Sequence, residues 1–411
     1  MITVKEVLTK KEMKEFVLFS FELYKNNPNW IPPLIAEELD TFDKSKNPAL
    51  ETAEAHFYLA YKENKIVGRI AAIINWDEVN NQGKKKVRFG WFDTIDDIEV
   101  TKALLEKVYE FGRENNLEHA EGPMGFSNLD KVFWPKEKYT KGDVIEYYNS
   151  IADYILPYLK DRPESLLRTP NGISKPGFFQ KNVEGQVPDW IKTRKLKSKS
   201  TGESITYLLC QDRDTLLFLA NWGCIELNPW SSRVGTLSNP DYIIFDLDPN
   251  EADIKKIVRT ALALKEILDM LKVPAYVKTS GGKGIHVFIP VLPKYSYNQT
   301  REFSHLVSQM VLKKLPDIVS LERSPSNRKG KVYLDYLQNG KGKTMASIYS
   351  LRPREGANVS TPLDWDEIND KLKLSDFNIK TLPKRLEVKG NLWANFFDDA
   401  IDLKSILENL K

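Results

Sequence analysis

Two carboxylates close an apolar run, where Tyr242, Ile243, Ile244 and Phe245 lead into Asp246, Leu247, Asp248 and Pro249. The β-branched and aromatic residues predict a strand covered on both faces. Side chains alternate along a strand, so Asp246 and Asp248 share a face about 7 Å apart. Two ionised carboxylates placed there repel each other and resist leaving water. A divalent cation would reverse both penalties. The competing reading is a strand that ends in a turn, because Asp and Pro are common turn formers.

A second constellation runs from Lys278 to Pro290 as Lys-Thr-Ser-Gly-Gly-Lys-Gly-Ile-His-Val-Phe-Ile-Pro. Glycine lets backbone amides approach an anion, Lys283 adds charge, and Ser280 and His286 add hydrogen-bonding side chains. Val277 and the strand that follows exclude a Walker A loop. A phosphate cradle built as a strand-to-strand turn remains, with His286 at the start of a strand donating to a phosphate oxygen. The alternative is a glycine-rich hairpin with a structural histidine.

The third constellation places Asp335 in an apolar strand after Arg328 and Lys331, either as a further metal carboxylate or in an ion pair with those cations. Beyond it stand Thr344, then Arg352 and Arg354, spaced so that both can face a phosphate. Together these residues suit two-metal phosphoryl transfer. Carboxylates hold two ions about 4 Å apart, one ion activates the attacking hydroxyl, and basic groups neutralise the leaving pyrophosphate. That chemistry is nucleotidyl transfer.

Helix 251–271, with Ile254, Ile257, Val258, Ala261, Leu264 and Leu268 on its buried face, connects the Asp246 strand to strand 275–279. This crossover predicts two parallel strands in one sheet. Upstream, Thr140 is expected to cap a helix over 144–159, with Lys131 and Lys141 bracketing the turn before it. Phe178 and Phe179 beside Lys181 fit a base-stacking and phosphate contact, or simply a core position and its neighbour. Lys192, Arg194, Lys195, Lys197 and Lys199 read as a cationic loop before strand 205–210, either a solvated face or a phosphate contact.

Residues 1–126 form a separate α/β unit: helix 10–24, strands 56–61 and 66–74 as a hairpin, strand 87–92, and helix 100–114 with Ala103, Leu104, Val108 and Phe111 on one face. This order resembles the first half of a GNAT-type N-acetyltransferase. The connection 93–99, where that family binds pyrophosphate on a glycine turn, carries Asp93, Asp96, Asp97 and Glu99 and no glycine. The module is therefore read as partial and non-catalytic, with acetyl transfer as the lesser alternative. The joint is the turn-rich segment 121–127.

At 411 residues the chain accommodates two or three domains, with ordinary globular composition and a net charge of +3. No apolar run spans a membrane. Cys210 and Cys224 cannot build a disulfide framework, and the four histidines lack zinc-ligand spacing. A cytoplasmic protein is expected, and the family resemblance described next implies association with the nucleoid.

From Asn128 onward the sequence resembles the polymerase domain of bacterial ATP-dependent DNA ligase D, of the archaeo-eukaryotic primase superfamily. The matching segments are Leu-Asp-Lys-Val-Phe-Trp-Pro at 129–135, Tyr-Thr-Lys-Gly-Asp at 139–143, Phe-Phe-Gln-Lys at 178–181 and Asp-Leu-Asp-Pro at 246–249. They continue with Thr-Ser-Gly-Gly-Lys-Gly-Ile-His at 279–286, Arg-Lys-Gly-Lys-Val-Tyr-Leu-Asp at 328–335 and Ser-Thr-Pro-Leu-x-Trp at 360–365.

The resemblance implies an α+β (mixed α/β) primase-polymerase fold over 127–411. It assigns Asp246, Asp248 and Asp335 to catalytic metal ions, manganese or magnesium. It puts Ser280, His286, Arg328, Thr344, Arg352 and Arg354 around an incoming NTP or dNTP, Lys131 and Lys141 on the 5′-phosphate of a DNA gap or end, and Phe178 and Phe179 against the template. Asn228 stands where many relatives carry histidine; asparagine keeps a donor and an acceptor but cannot titrate. The implied role is gap filling or end extension in non-homologous end joining, beside a separate DNA ligase and an end-binding protein such as Ku. A non-catalytic module that bridges DNA ends is the alternative.

Overall fold

The computed structural model of the chain describes residues 2–27, 30, 32–125, 129, 131–197, 202–249 and 252–408. The chain divides into two compact units, Met1–Lys131 and Val132–Lys411. The boundary expected after residue 126, like Lys199 and the helix start expected at Glu251, lies outside the described residues.

The first unit is a five-stranded sheet in chain order: Ile2–Glu6, Ala53–Lys62, Lys65–Asn75, Lys86–Thr94 and His119–Glu121. The first four pair antiparallel and the last runs parallel to its neighbour. Glu63 and Asn64, with φ of 52° and 60°, make the tight hairpin turn. Helix Ile98–Glu114 buries Val100, Leu104, Val108 and Phe111 against the sheet. Val100 takes the core place expected of Ala103, because the 3.6-residue repeat from Leu104 falls on it. Asp97 caps this helix, accepting from the Glu99 amide at 3.0 Å and pairing with Lys62 at 2.9 Å.

The second unit is built on a six-stranded sheet: β1 (Tyr242–Asp248), β2 (Tyr276–Thr279), β3 (Ile285–Pro290), β4 (Val319–Ser320), β5 (Val332–Asp335) and β6 (Pro362–Leu363). Their spatial order is β4-β5-β1-β3-β2-β6, antiparallel throughout except between β4 and β5. β1 and β2 are parallel, as the crossover requires, but β3 lies between them. Helices α1 (Ile254–Met270) and α2 (Tyr297–Lys314) cover one face. Ile243, Phe245 and Leu247 of β1, Ile285, Val287 and Ile289 of β3, and Val332 and Leu334 of β5 join that core. The intervening residues Tyr242, Ile244 and Phe288 join the core on the other face. Period-two alternation therefore sends Asp246, Asp248, His286, Lys278 and Asp335 to that second face as well.

Two local expectations fail for identifiable reasons. The helix expected over 144–159 is two helices, Lys141–Ser150 and Ala152–Leu159. At the break Arg213 donates to the Asn149 carbonyl at 2.6 Å, and Ile151 leaves helical geometry at φ −107° and ψ 9°. Thr140 does cap the first helix, with Asp143 completing a capping box. The basic run is no loop: Thr193–Lys197 is a strand paired antiparallel with Ser204–Leu208. Alternation across an exposed hairpin leaves its charges solvated.

Candidate active site

Strand register assembles the site. Asp246 on β1 lies directly opposite Asp335 on β5 and opposite His286 on β3, and His286 lies opposite Lys278 on β2. Four titratable side chains thus form one row across four strands, and Asp248 stands on the same face two residues on. His286 Nε2 is 3.4 Å from Asp246 Oδ1, and Lys278 Nζ is 2.9 Å from His286 Nδ1. Lys278 also donates to the Ala346 carbonyl at 3.3 Å and to Ser360 Oγ. Burial, then the charges of Asp335 and Asp248, push the Asp246 carboxyl up to about 7. Burial and the neighbouring Arg352 pull the Lys278 ammonium well down, and burial with Lys278 and Arg352 does the same to His286.

The glycine loop joins β2 to β3 beside this row. Ser280 Oγ accepts from the Gly282 and Gly284 amides, both at 3.0 Å, so the serine shapes the turn from within. Gly281 has φ of 68°, and a Cβ there would fall 2.6 Å from Arg352 Cγ. Arg352 donates to the Ser280 carbonyl at 2.7 Å and to Glu226 Oε2 at 2.6 Å. Arg354 Nη1 lies 3.4 Å from where a Cβ of Gly282 would stand. Both arginines converge on the loop. Lys283 and Gly282 line an adjoining 580 Å³ cleft with Pro249, Ile254 and Asn358.

Asp335 is not the acid that the nearby cations serve. Arg328 Nη1 approaches Asp248 Oδ2 at 3.4 Å and its guanidinium carbon lies 3.8 Å from the centre of the Tyr333 ring, while Lys331 Nζ donates to the Pro316 carbonyl at 2.7 Å. Asp335 accepts from the Leu337 amide at 2.8 Å and from Gln338 at 3.3 Å and lies opposite Asp246. Asn228 is buried in strand Cys224–Pro229, two residues past Glu226, and Thr344 is half-buried in a bridge to Trp230. Lys141 is buried at the first position of its helix, not solvated, and Lys131 falls with the first unit. Phe178 and Phe179 are exposed, at 48% and 62%, as is Lys181, which excludes the core reading of the two aromatics.

Among the described residues, no three His, Cys, Asp or Glu side chains form a ready metal cage. The donor set still fits a hard cation. Magnesium-like ions are held by one or two carboxylates together with substrate phosphates and water, not by closed protein cages. Two facing carboxylates, with the Asp246 pKa raised by burial and then by the neighbouring acids, are such an open half-site.

The sequence model of the LigD primase-polymerase domain matches residues 140–393. The chain belongs to this family. A primase-polymerase domain is a nucleotidyltransferase domain acting on nucleotides with metal ions. The chain is 35% identical over 290 residues to the bifunctional non-homologous end joining protein LigD of Bacillus subtilis, covering 70% of this chain and 46% of that protein. The multifunctional LigD of Mycolicibacterium smegmatis is 32% identical over 277 residues, 67% of this chain and 36% of the relative. The chain thus spans less than half the length of these relatives. Its fold matches the polymerase domain of Mycobacterium tuberculosis ligase D, solved in complex with DNA, with a TM-score of 0.63 and 27% identity, over 68% of this chain and all of that one. Within this primase-polymerase fold, sequence reasoning missed Lys278, Glu226 and Ser360. The available signal was a lysine and a glutamate inside otherwise apolar strands, where burial demands a partner.

Among the described residues, no helix is long and apolar enough to cross a membrane.

Proposed function

We propose that the chain is a metal-dependent, template-directed nucleotidyltransferase that fills gaps or extends DNA ends during double-strand break repair. The observation that carries this is the register pair Asp246–Asp335 with Asp248 on the same strand face, next to a glycine loop on which Arg352 and Arg354 converge.

Asp246, Asp248 and Asp335 would hold two manganese or magnesium ions, which when bound supply activation of the primer hydroxyl and charge stabilisation of the transition state. The residues of the chain do the rest. Arg352 and Arg354, with Lys283, hold the triphosphate beside the loop and stabilise the pyrophosphate as it leaves. His286, kept neutral by burial, donates from Nε2 to Asp246 or to a phosphate oxygen without adding charge. Arg328 holds Asp248 in place and stacks on Tyr333. The strand row keeps these groups in fixed geometry, so little reorganisation accompanies reaction. Asn228, buried like His286 and on the same strand as Glu226, would lie beside the nucleotide with a donor and an acceptor but no charge.

DNA with a 5′-phosphorylated gap or end is the proposed partner, and a separate ligase and a Ku-like end-binding protein complete the repair. The first unit serves as a non-catalytic module from 1 to about 126: Asp97 already occupies the helix N-terminus that an acetyltransferase offers to pyrophosphate.

Incubation with manganese, labelled ribo- or deoxyribonucleotides and a gapped, 5′-phosphorylated duplex tests the proposal. Template-matched extension by the wild type, lost in Asp246→Ala, is expected. No extension, or undiminished extension by the variant, defeats it.

A further inference from the structure

Three large aromatic side chains are exposed in the second unit among the described residues: Phe178 at 48%, Phe179 at 62% and Trp190 at 55%. One chain of contacts links Phe178 to Trp190, while Phe179 alternates to the other face of its strand. The Arg168 guanidinium lies 5.4 Å from the Phe178 ring centre and 3.8 Å from that of Trp222. Trp222 meets Phe218 at 5.6 Å, and Phe218 meets Trp190 at 6.0 Å. Helical spacing against the core accounts for Phe218 and Trp222. It does not account for leaving Trp190 and two phenylalanines in water, where each forfeits the burial that large aromatics normally gain.

Charge supports the same surface. Arg168 is half-buried, and its hydrogen bonds go to neutral acceptors: the Trp222 carbonyl at 3.0 Å and Gln180 Oε1 at 2.7 Å. The cation is held in place with its charge directed to no carboxylate in these contacts. Burial accordingly pulls its pKa down from the ordinary arginine value. Two residues beyond Trp190 begins the exposed basic edge of Lys192, Arg194, Lys195 and Lys197, of which Lys195 is paired with Glu184 at 2.8 Å. Stacking faces alternating with cations are what sequence-tolerant binding of single strands requires. The strand that follows Trp222, Cys224–Pro229, carries Glu226 to Arg352 at the carboxylate site, so one end of the track leads toward the chemistry.

We propose that Phe178 and Trp190, joined through Arg168, Trp222 and Phe218, form one stacking track for the unpaired strand of a DNA end, with the 192–197 edge on its phosphates. This extends the polymerase reading and rests on it for the direction of the strand. The track serves overhangs long enough to reach from Phe178 to Trp190. Bases stack on it without regard to sequence, and its affinity falls with salt.

Fluorescence anisotropy of the full chain with labelled duplexes bearing single-stranded overhangs of about 4 and about 12 nucleotides tests this. The wild type binds the longer overhang more tightly. Trp190→Ala weakens binding of the longer overhang about tenfold and leaves the shorter unchanged, Trp190→Phe retains most of the affinity, and Arg194→Ala lowers the salt slope by about 1. Trp190 is exposed, so its removal leaves the core intact. Equal binding of both overhangs by the wild type, or wild-type affinity in Trp190→Ala, overturns the track. A wild type that binds long overhangs as described but extends no primer defeats the polymerase reading and leaves the track standing.

Discussion

The carboxylate row makes the metal-free protein less stable than it need be, and replacing Asp246 with asparagine exposes that strain. The Asp246 carboxyl is raised from 3.8 to about 7 by burial and by Asp335 and Asp248. Each pH unit corresponds to about 1.4 kcal/mol, so the ionised form is disfavoured by at most about 4 kcal/mol. A fifth of the side chain, 21%, still meets solvent. Screening there reduces the expected effect to about 2 kcal/mol. The sign follows from proton binding. Between about pH 4 and 7 the folded chain holds a proton that the unfolded chain has released, so stability falls as pH rises through that window. Asp246→Asn keeps the shape and removes the charge. In chelator at pH 8 the variant should resist urea better than wild type by about 2 kcal/mol, and at pH 4 the two should coincide. Saturating manganese should reverse the order by stabilising only the wild type, by about 2.7 kcal/mol at a hundred times the dissociation constant. Equal stability at pH 8, or a less stable variant, would refute the reasoning that unpaid negative charge is concentrated at this row.

Other outcomes follow from the same geometry. Gly281→Ala forces a side chain into positive φ and against Arg352; it should destabilise by about 1–2 kcal/mol and raise the nucleotide KM, measured by urea unfolding and steady-state extension. Glu226→Gln strips Arg352 of its buried partner and should cost about 3 kcal/mol of stability, with nucleotide affinity reduced because the guanidinium is no longer aimed at the loop. Lys278→Met leaves His286 Nδ1 without its partner. Nitrogen NMR of the ring should then show mixed tautomers where the wild type shows one, and extension should fall about tenfold.

How much of this was legible in the sequence depends on how local the cause is. Period-two alternation within 242–248, 285–290 and 332–335 places Asp246, Asp248, His286 and Asp335 on one face without any knowledge of the neighbours, so the Asp246–Asp248 pair and Asp335 could be read directly. Glycine at 281 is legible too, since positive φ is a local demand. The partners were not legible. Lys278 meets Ser360 across 82 residues of sequence and Glu226 meets Arg352 across 126, contacts that only the sheet order creates. Chain proximity offers an ion pair between Arg328 and Asp335 as one alternative, whereas the fold brings Arg328 to Asp248. The helix over 144–159 keeps its apolar repeat through a break where Arg213 donates to the Asn149 carbonyl, and such a contact leaves no periodic signal. The cationic stretch at 192–197 pairs as a strand because its partner at 204–208 supplies the ladder, information that a charge run conceals.

The central claim is that Asp246, Asp248 and Asp335 jointly hold catalytic metal ions. Electron paramagnetic resonance of manganese, titrated into the protein with a non-hydrolysable nucleotide present, tests it most directly. The geometry predicts two ions per chain, magnetically coupled at about 4 Å, and at most one in Asp335→Asn. A wild type that binds no manganese under these conditions, or an Asp335→Asn chain that binds two coupled ions as the wild type does, would contradict it.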